Sequence, residues 1–392
     1  MRRRRDLSGK TLEIQEDSER SCFDLPAPVR GLGAIIHYCL TFSPNGCSVS
    51  VIRLNASYLW GESVSLSEDD LIAKYFAPIA GPGSLDLRDD AALLKPPAGH
   101  DVILTTDALV AGVHFFADDP PEKIARKALR VNLSDLAAKA GEPTGFLLTL
   151  ALPPDWTEEW LAGFARGLAE DSADFKFPLL GGDTVRTPGP LTISVTALGY
   201  ALRGWIVPRT GAKPGDKIYV TGTIGDAALG VRVRQKAEAD RAWIDALPLE
   251  FCAHLLDRYL LPQPRVGLRK VLRAEAHGGM DVSDGLIGDV TKMMKASGTG
   301  GRIELARIPL SPAVRAAIAS DGDLFEAVIT GGDDYEVLAA VAPTRAAAFE
   351  SSARAAGIAV TQIGEVLEAG AVTCVESNGR VRVFAQKSFS HF

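Results

Sequence analysis

From residue 67 onward, apolar positions recur at alternating helical and strand spacings. Ser67 precedes Glu68, Asp69 and Asp70, and Leu71, Ile72, Tyr75, Phe76 and Ile79 form one apolar stripe. This predicts a capped helix, ended by the GPG at 81–83. DLRDDAALLKPP (86–97) reads as a carboxylate-rich turn feeding a short strand, AALL. ILTTDALVAGVHFF (103–116) begins as a strand, with Ile103 and Leu104 apolar and Thr105 and Thr106 β-branched. Pro120 and Pro121 open a helix to about Ala140, and Gly141 closes it. FLLTLALP (146–153) predicts a buried strand. Asp155 with Glu158 is expected to cap a helix whose stripe is Trp160, Leu161, Phe164 and Leu168.

PLLGGDTVR (178–186) reads as an acidic strand end, and LTISVTALGY (191–200) as another strand. The pattern restarts after 202–206 with a turn, a strand over Lys217–Val220 and a glycine-rich exit into a helix. Helices are expected around 250–260 and 265–273 and from Leu286, and TGGDDYEVLAAV (330–341) runs from a turn into a strand. These elements predict an α/β chain with mixed α+β sheets and two domains, 66–205 and 206–392. Residues 1–65 keep neither period. They are expected to be a poorly ordered extension, one reading being translation from a start placed too far upstream. The SGKT at 8–11 lacks the glycine and the strand that a phosphate-binding loop needs.

The chain of 392 residues is 46% hydrophobic and 23% charged, enough for sizeable cores. A net charge of −7 without a basic stripe argues against a nucleic-acid surface. The 5 cysteines show no metal-ligand spacing and read as reduced thiols in a cytoplasmic protein. No apolar run is long enough to span a membrane.

The chemistry enters with the acidic residues. Carboxylates beside Gly, Ser or Thr recur around 89, 107, 135, 183, 281–284 and 333. Singly each reads as a turn or cap. Together they suit a site that gathers several Mg²⁺ ions around a polyphosphate, since clustered carboxylates repel unless cations neutralise them. Asp89 and Asp90 would face opposite ways on a strand, so only one would bind a given ion. Asn132 and Asp135, on a helix with little solvent face, are expected to point into the site. No zinc spacing, Ser-His-Asp arrangement or protein-kinase motif pair competes.

The segments RDDAALL, LTTDALVAGVHF, KALRVNLSDLAAKAGEP, LLGGDTVR, RTGAKPGDKIYVTGTIGD, MDVSDGL, GGDDYEVL and SFSHF occur in this order. With them the chain from about 66 resembles the thiamine-monophosphate kinases, in the ATP-binding superfamily that includes aminoimidazole ribonucleotide synthetase. The resemblance implies that superfamily's two-domain fold, with the first domain's sheet joined into a barrel in a homodimer. It implies ATP-dependent phosphorylation of thiamine monophosphate to thiamine diphosphate. Asp89, Thr105, Thr106, Asp107, Asp135, Asp183, Asp281 and Asp284 match family metal ligands. Of these, Asp107, Asp135 and Asp183 would hold the bridging Mg²⁺ ions. Gly182, Asp183, Arg209 and Ser283 match nucleotide contacts, and His114, Asp333 and Phe389 match contacts to the thiamine phosphate. The bland reading of His114 is a core histidine packed by Phe115 and Phe116.

The chain departs from the family in three places. Asp333 stands where Glu is common, Phe389 where Trp or Tyr is usual, and RYLLP (258–262) where RHLRP is common. Two rival readings are ATP-driven activation of an amide or selenide, and a nucleotide sensor with a degenerate site. Selenide chemistry would call for a reactive Cys early in the fold, and none lies between 66 and 251.

Overall fold

The strand and helix periods after residue 66 fold into two mixed sheets. The computed structural model describes residues 67–384, Ser388, and short strands before residue 54. The chain divides into two units, 1–65 and 66–392. In the first, Ile36–Ser43 pairs antiparallel with both Ser21–Phe23 and Gly46–Arg53. Arg4–Arg5 pairs antiparallel with Thr11–Leu12; the rest of that unit lies outside the described residues, and so do the expected poor order of the extension and Phe389.

The second unit opens as its sequence predicts. Ser67 Oγ accepts from Asp70 N at 3.1 Å, completing a capping box. The helix Glu68–Leu71 then widens into a π turn over Ile72–Phe76 and tightens over Ala77–Ile79. Leu71, Tyr75 and Phe76 are nonetheless buried. The AALL segment forms no strand: residues 91–97 run as an irregular chain, with Leu93 held by one bond to Gly83 O and otherwise exposed. Among the described residues it meets no neighbouring ladder, so its apolar run stays unpaired.

The first sheet comprises β1 (His100–Val110), β2 (Glu142–Leu152), β3 (Leu179–Arg186) and β4 (Thr192–Leu202), in the order β1-β4-β2-β3. The pairs are antiparallel except β2 with β3. Helices α1 (Pro121–Ala138) and α2 (Glu158–Phe175) contribute to the core on one face, where Leu109, Leu148, Leu150, Ile193 and Val195 are buried. Thr157, not Asp155, caps α2, its side chain accepting from Trp160 N at 3.1 Å. The other face is open: Val102, Leu104, Leu147 and Val185 stay exposed, Leu104 at 62%. So the FLLTLALP strand is buried on one side only, not throughout.

The second sheet has the order β6-β8-β5-β9-β7-β10-β11. Its strands are β5 (Lys217–Thr221), β6 (Ala276–Val282), β7 (Gly300–Glu304), β8 (Glu336–Val341), β9 (Val360–Leu367), β10 (Val372–Val375) and β11 (Val381–Arg382). Both faces of its centre are covered. Leu338 and Ala340 enter one core with α3 (Asp226–Gln235), α4 (Leu249–Leu260) and α5 (Leu286–Ser297). Val337, Ala339 and Val341 enter another with Ala138, Leu272 and Phe349. A strand buried on both sides has no polar alternation, which is why EVLAAV reads as one apolar run.

Candidate active site

β1 presents three oxygen donors in succession, and the strand's period of two separates them. Thr105 turns toward α1, where its Oγ1 donates to the Asp135 carboxylate. Thr106 turns to the open side of the sheet, donating to Val195 O and accepting from Thr196 Oγ1, both at 3.2 Å. Asp107 lies two residues beyond Thr105 and lines a cavity of about 570 Å³.

That cavity is walled by both domains. From the first come Asp107, Val113, His114, Lys127, Val131 and Asp135. From the second come the helix α3, with Ala228, Val231 and Arg232, and two turns. One turn, between β6 and α5, holds Ser283 and Asp284 just past Asp281 at the end of β6, and the other holds Gly331, Gly332 and Asp333 before β8. The turns are stitched together: Asp333 N donates to Ser283 O and Tyr335 N to Val282 O, each at 2.8 Å. A Cβ on Gly332 would sit 2.4 Å from Ser283 O, so only glycine permits this approach. Asp333 itself takes φ +70°, a left-handed conformation that Asp tolerates better than most residues.

Like charges crowd the site. Burial pushes the Asp107 carboxyl up to about 6, helped by the nearby charges of Asp135 and Asp284. Asp281 is raised well above the ordinary range by burial and then by Asp135, although Ser134 Oγ donates to it at 3.0 Å. Asp284 is the exception, ion-paired with Lys292. Asp289 organises the turn from behind, accepting from Ser283 N and Asp284 N at 3.0 and 2.9 Å. Lys139 Nζ donates to Gly279 O at 2.6 Å. Burial and then the charge of Arg209 lower its pKa to about 8, while Asp281 and Asp135 pull the other way.

The structure therefore gathers Asp107, His114, Asp135, Asp281, Ser283, Asp284 and Asp333 around one cavity, with Thr105 bonded to Asp135. His114 is not a core residue: it lines the cavity, and its Nδ1 accepts from Val110 N at 3.0 Å, leaving the neutral ring's proton on Nε2. Asp89 sits in an exposed turn outside the cavity wall. Gly182 and Asp183 lie within β3 rather than at its end, on the sheet edge opposite β1. Asp183 is in register with Thr149 and exposed. Arg209 is exposed in a short turn, its carbonyl accepting from Ser297 Oγ. Asn132 is buried away from the cavity, with its Nδ2 bonded to Ala128 O.

The sequence reading passed over Lys127 and Lys139. The available signal was a cation within the nearly all-buried α1 for Lys127 and one at its C-terminal cap for Lys139.

Hard oxygen donors of this kind suit Mg²⁺. Among the described residues, no ion pair neutralises Asp107, Asp135 or Asp281, and no three acidic, His or Cys side chains close a cage by themselves. That donor set fits an ion that keeps waters and completes its shell with phosphate oxygens.

Family models for AIR synthase related protein match this chain, the N-terminal domain over 88–201 and the C-terminal domain over 213–376. The chain is 46% identical over 314 residues to thiamine-monophosphate kinase of Caulobacter vibrioides, covering 78% of this chain and 86% of that one. It is 36% identical over 332 residues to the Escherichia coli K12 thiamine-monophosphate kinase, 84% of this chain and 99% of that one. Among solved structures, thiamine-monophosphate kinase from Stenotrophomonas maltophilia K279a superposes with TM-score 0.68 at 36% identity, covering 76% of this chain and 91% of the other. AaThiL complexed with AMPPCP and TMP superposes with TM-score 0.66 at 30% identity, covering 78% and 91%. Escherichia coli HypE, a hydrogenase maturation protein, shares the fold at 22% identity.

Proposed function

The chain belongs to the thiamine-monophosphate kinases of the AIR synthase related family, and from that premise we propose how its cavity works. The protein transfers the terminal phosphoryl group of ATP to the phosphate of thiamine monophosphate, forming thiamine diphosphate. The convergence of Asp107, Asp135, Asp281 and Asp284 on one cavity carries this reading. A relative's complex with AMPPCP and TMP supports the pairing of an ATP analogue with thiamine monophosphate.

The acceptor oxygen belongs to a phosphate whose second pKa is ~6, so it is already ionised near neutral pH and needs no strong base. What remains is positioning and charge neutralisation. Mg²⁺ would be held by Asp107, Asp135, Asp281 and Asp284, and when bound it neutralises the charge of the phosphates. Thr105 fixes the Asp135 carboxylate, and the Asp289 turn presents Ser283 to the nucleotide. His114 and Asp333 orient thiamine monophosphate, with Phe389 as a stacking partner for its cationic ring.

Asp89, Thr106, Gly182, Asp183 and Arg209 stay within the proposal as metal and nucleotide contacts. Thr106 and β3 flank the open sheet face. A homodimer that joins two such faces into a barrel, β1 of one protomer beside β3 of its partner, would bring Asp183 back toward Asp107. The domain boundaries 66–205 and 206–392, a dispensable 1–65 and a cytoplasmic setting belong to the same proposal. Among the described residues, no helix is long and apolar enough to cross a membrane.

The reading is tested by following ADP release with Mg-ATP and either thiamine monophosphate or thiamine. ADP is expected only with the monophosphate. Equal turnover of thiamine would overturn the reading, because the cavity would then accept a hydroxyl as readily as a phosphate.

A further inference from the structure

Lys127 is an amine that the mechanism above leaves unused. Only 2% of the residue is exposed, yet it lines the reaction cavity. Its Nζ donates to His114 O at 3.0 Å and to Asp333 Oδ2 at 2.8 Å. It also lies 3.9 Å from the centre of the Tyr259 ring, over its face. Tyr259 packs edge-on against Phe116, two residues beyond His114. One ammonium therefore joins the His114 loop of the first domain to the Asp333 turn of the second. Burying it carries a desolvation cost that is offset only while those acceptors and the ring stay in place.

The other Asp333 oxygen is also committed, accepting from Tyr335 OH at 3.3 Å. Asp333 thus has both oxygens directed by protein donors, although its backbone sits in a strained left-handed conformation. A carboxylate held this way keeps its orientation but gives up part of its charge to Lys127. A cationic ring facing it meets a fixed, partly neutralised partner.

We propose that Lys127 is a positioning residue for the organic substrate. It sets the spacing between His114 and Asp333, and Tyr259 holds it there by its ring face. This gives the RYLLP segment a role in which Tyr259 serves as the platform for the amine. The proposal rests on the kinase reading, since it concerns how the same cavity receives thiamine monophosphate.

The test compares Lys127→Met, Asp333→Asn and the double variant with the wild-type chain. Both KM values and kcat are measured, with melting temperature as a check on folding. Lys127→Met is expected to raise KM for thiamine monophosphate ~10-fold or more while KM for ATP changes less than ~3-fold. The double variant should be no worse than the poorer single one, because the two side chains act through each other. Tyr259→Leu keeps the ion pair and removes the platform, and should move the same KM in the same direction. It decides the matter if Lys127→Met does not fold. A purely structural lysine would lower the melting temperature and leave both KM values unchanged. That result, equal rises in both KM values, or additive losses in the double variant overturns the proposal. If the wild-type chain does not turn over thiamine monophosphate, the kinase reading falls and the proposal with it. Normal wild-type turnover with unmoved KM values overturns the Lys127 role alone.

Discussion

At Asp107, burial and like charge act in the same direction, and both act against the unliganded fold. Its folded-state pKa is raised from 3.8 to about 6. A raised carboxyl stabilises the fold fully below its unfolded pKa, and that contribution is lost as pH rises through about 6. Near pH 7 the ionised group is thus a liability until cations arrive. Asp107→Asn should lower saturating turnover by at least ~10²-fold, the scale of one strong transition-state contact. Its unliganded urea midpoint near neutral pH should match or exceed wild type, and the advantage should shrink toward pH 4. An ordinary strand-end cap would do the opposite, losing ~0.5–2 kcal/mol of stability with little change in rate. Single residues were partly legible in advance. Period-two alternation within TTD separates Thr105 from Thr106, but it does not say which face meets α1. Nor could adjacency choose between Asp333 and Asp334. Asp334 proves to be buried, its Oδ1 accepting from Gly225 N at the start of α3, while Asp333 lines the cavity.

Among elements, the long periodic ones were readable and the short acidic ones were not. The strands β1, β4 and β8 and the helices α1, α2 and α5 lie where their spacing predicts. LLGGDTVR was misplaced as a strand end because its two glycines suggest a turn, whereas pairing with β2 carries the strand through to Arg186. The RYLLP segment was opaque for a different reason: its partner is remote in sequence. Arg258 donates to the fully buried Glu336 at the start of β8 at 2.8 Å, and Arg265 pairs with the same carboxylate. Thr221 of β5 donates to it at 2.6 Å. Removing one side of such a buried network strands the other charges. Glu336→Ala should cost ~3–5 kcal/mol in urea unfolding, since it leaves two guanidinium groups without their acceptor. A loss below ~1 kcal/mol would mean that the two arginines find water instead.

At the scale of the molecule, two α/β domains with mixed sheets were legible because each strand and helix carries its own period. The proposed dimer rests on the family resemblance instead, because the strand period alone does not say what covers the open face of the first sheet. Val102, Leu104, Leu147 and Val185 would be costly to leave in water together. A chain spanning 66–392 is expected to sediment as a dimer with the turnover and melting temperature of the full chain. Leu104→Asp in that chain should give a folded monomer with little turnover, as a site completed across the barrel requires. A fully active monomer would show that each protomer's site is self-sufficient.

The central claim is that this cavity joins one phosphate to another. Phosphorus NMR of the product formed from Mg-ATP and thiamine monophosphate tests it most directly. A diphosphate ester with two coupled resonances, appearing as ADP accumulates and absent when thiamine replaces its monophosphate, is the predicted result. ADP accumulating with inorganic phosphate while the thiamine monophosphate resonance stays intact would contradict it.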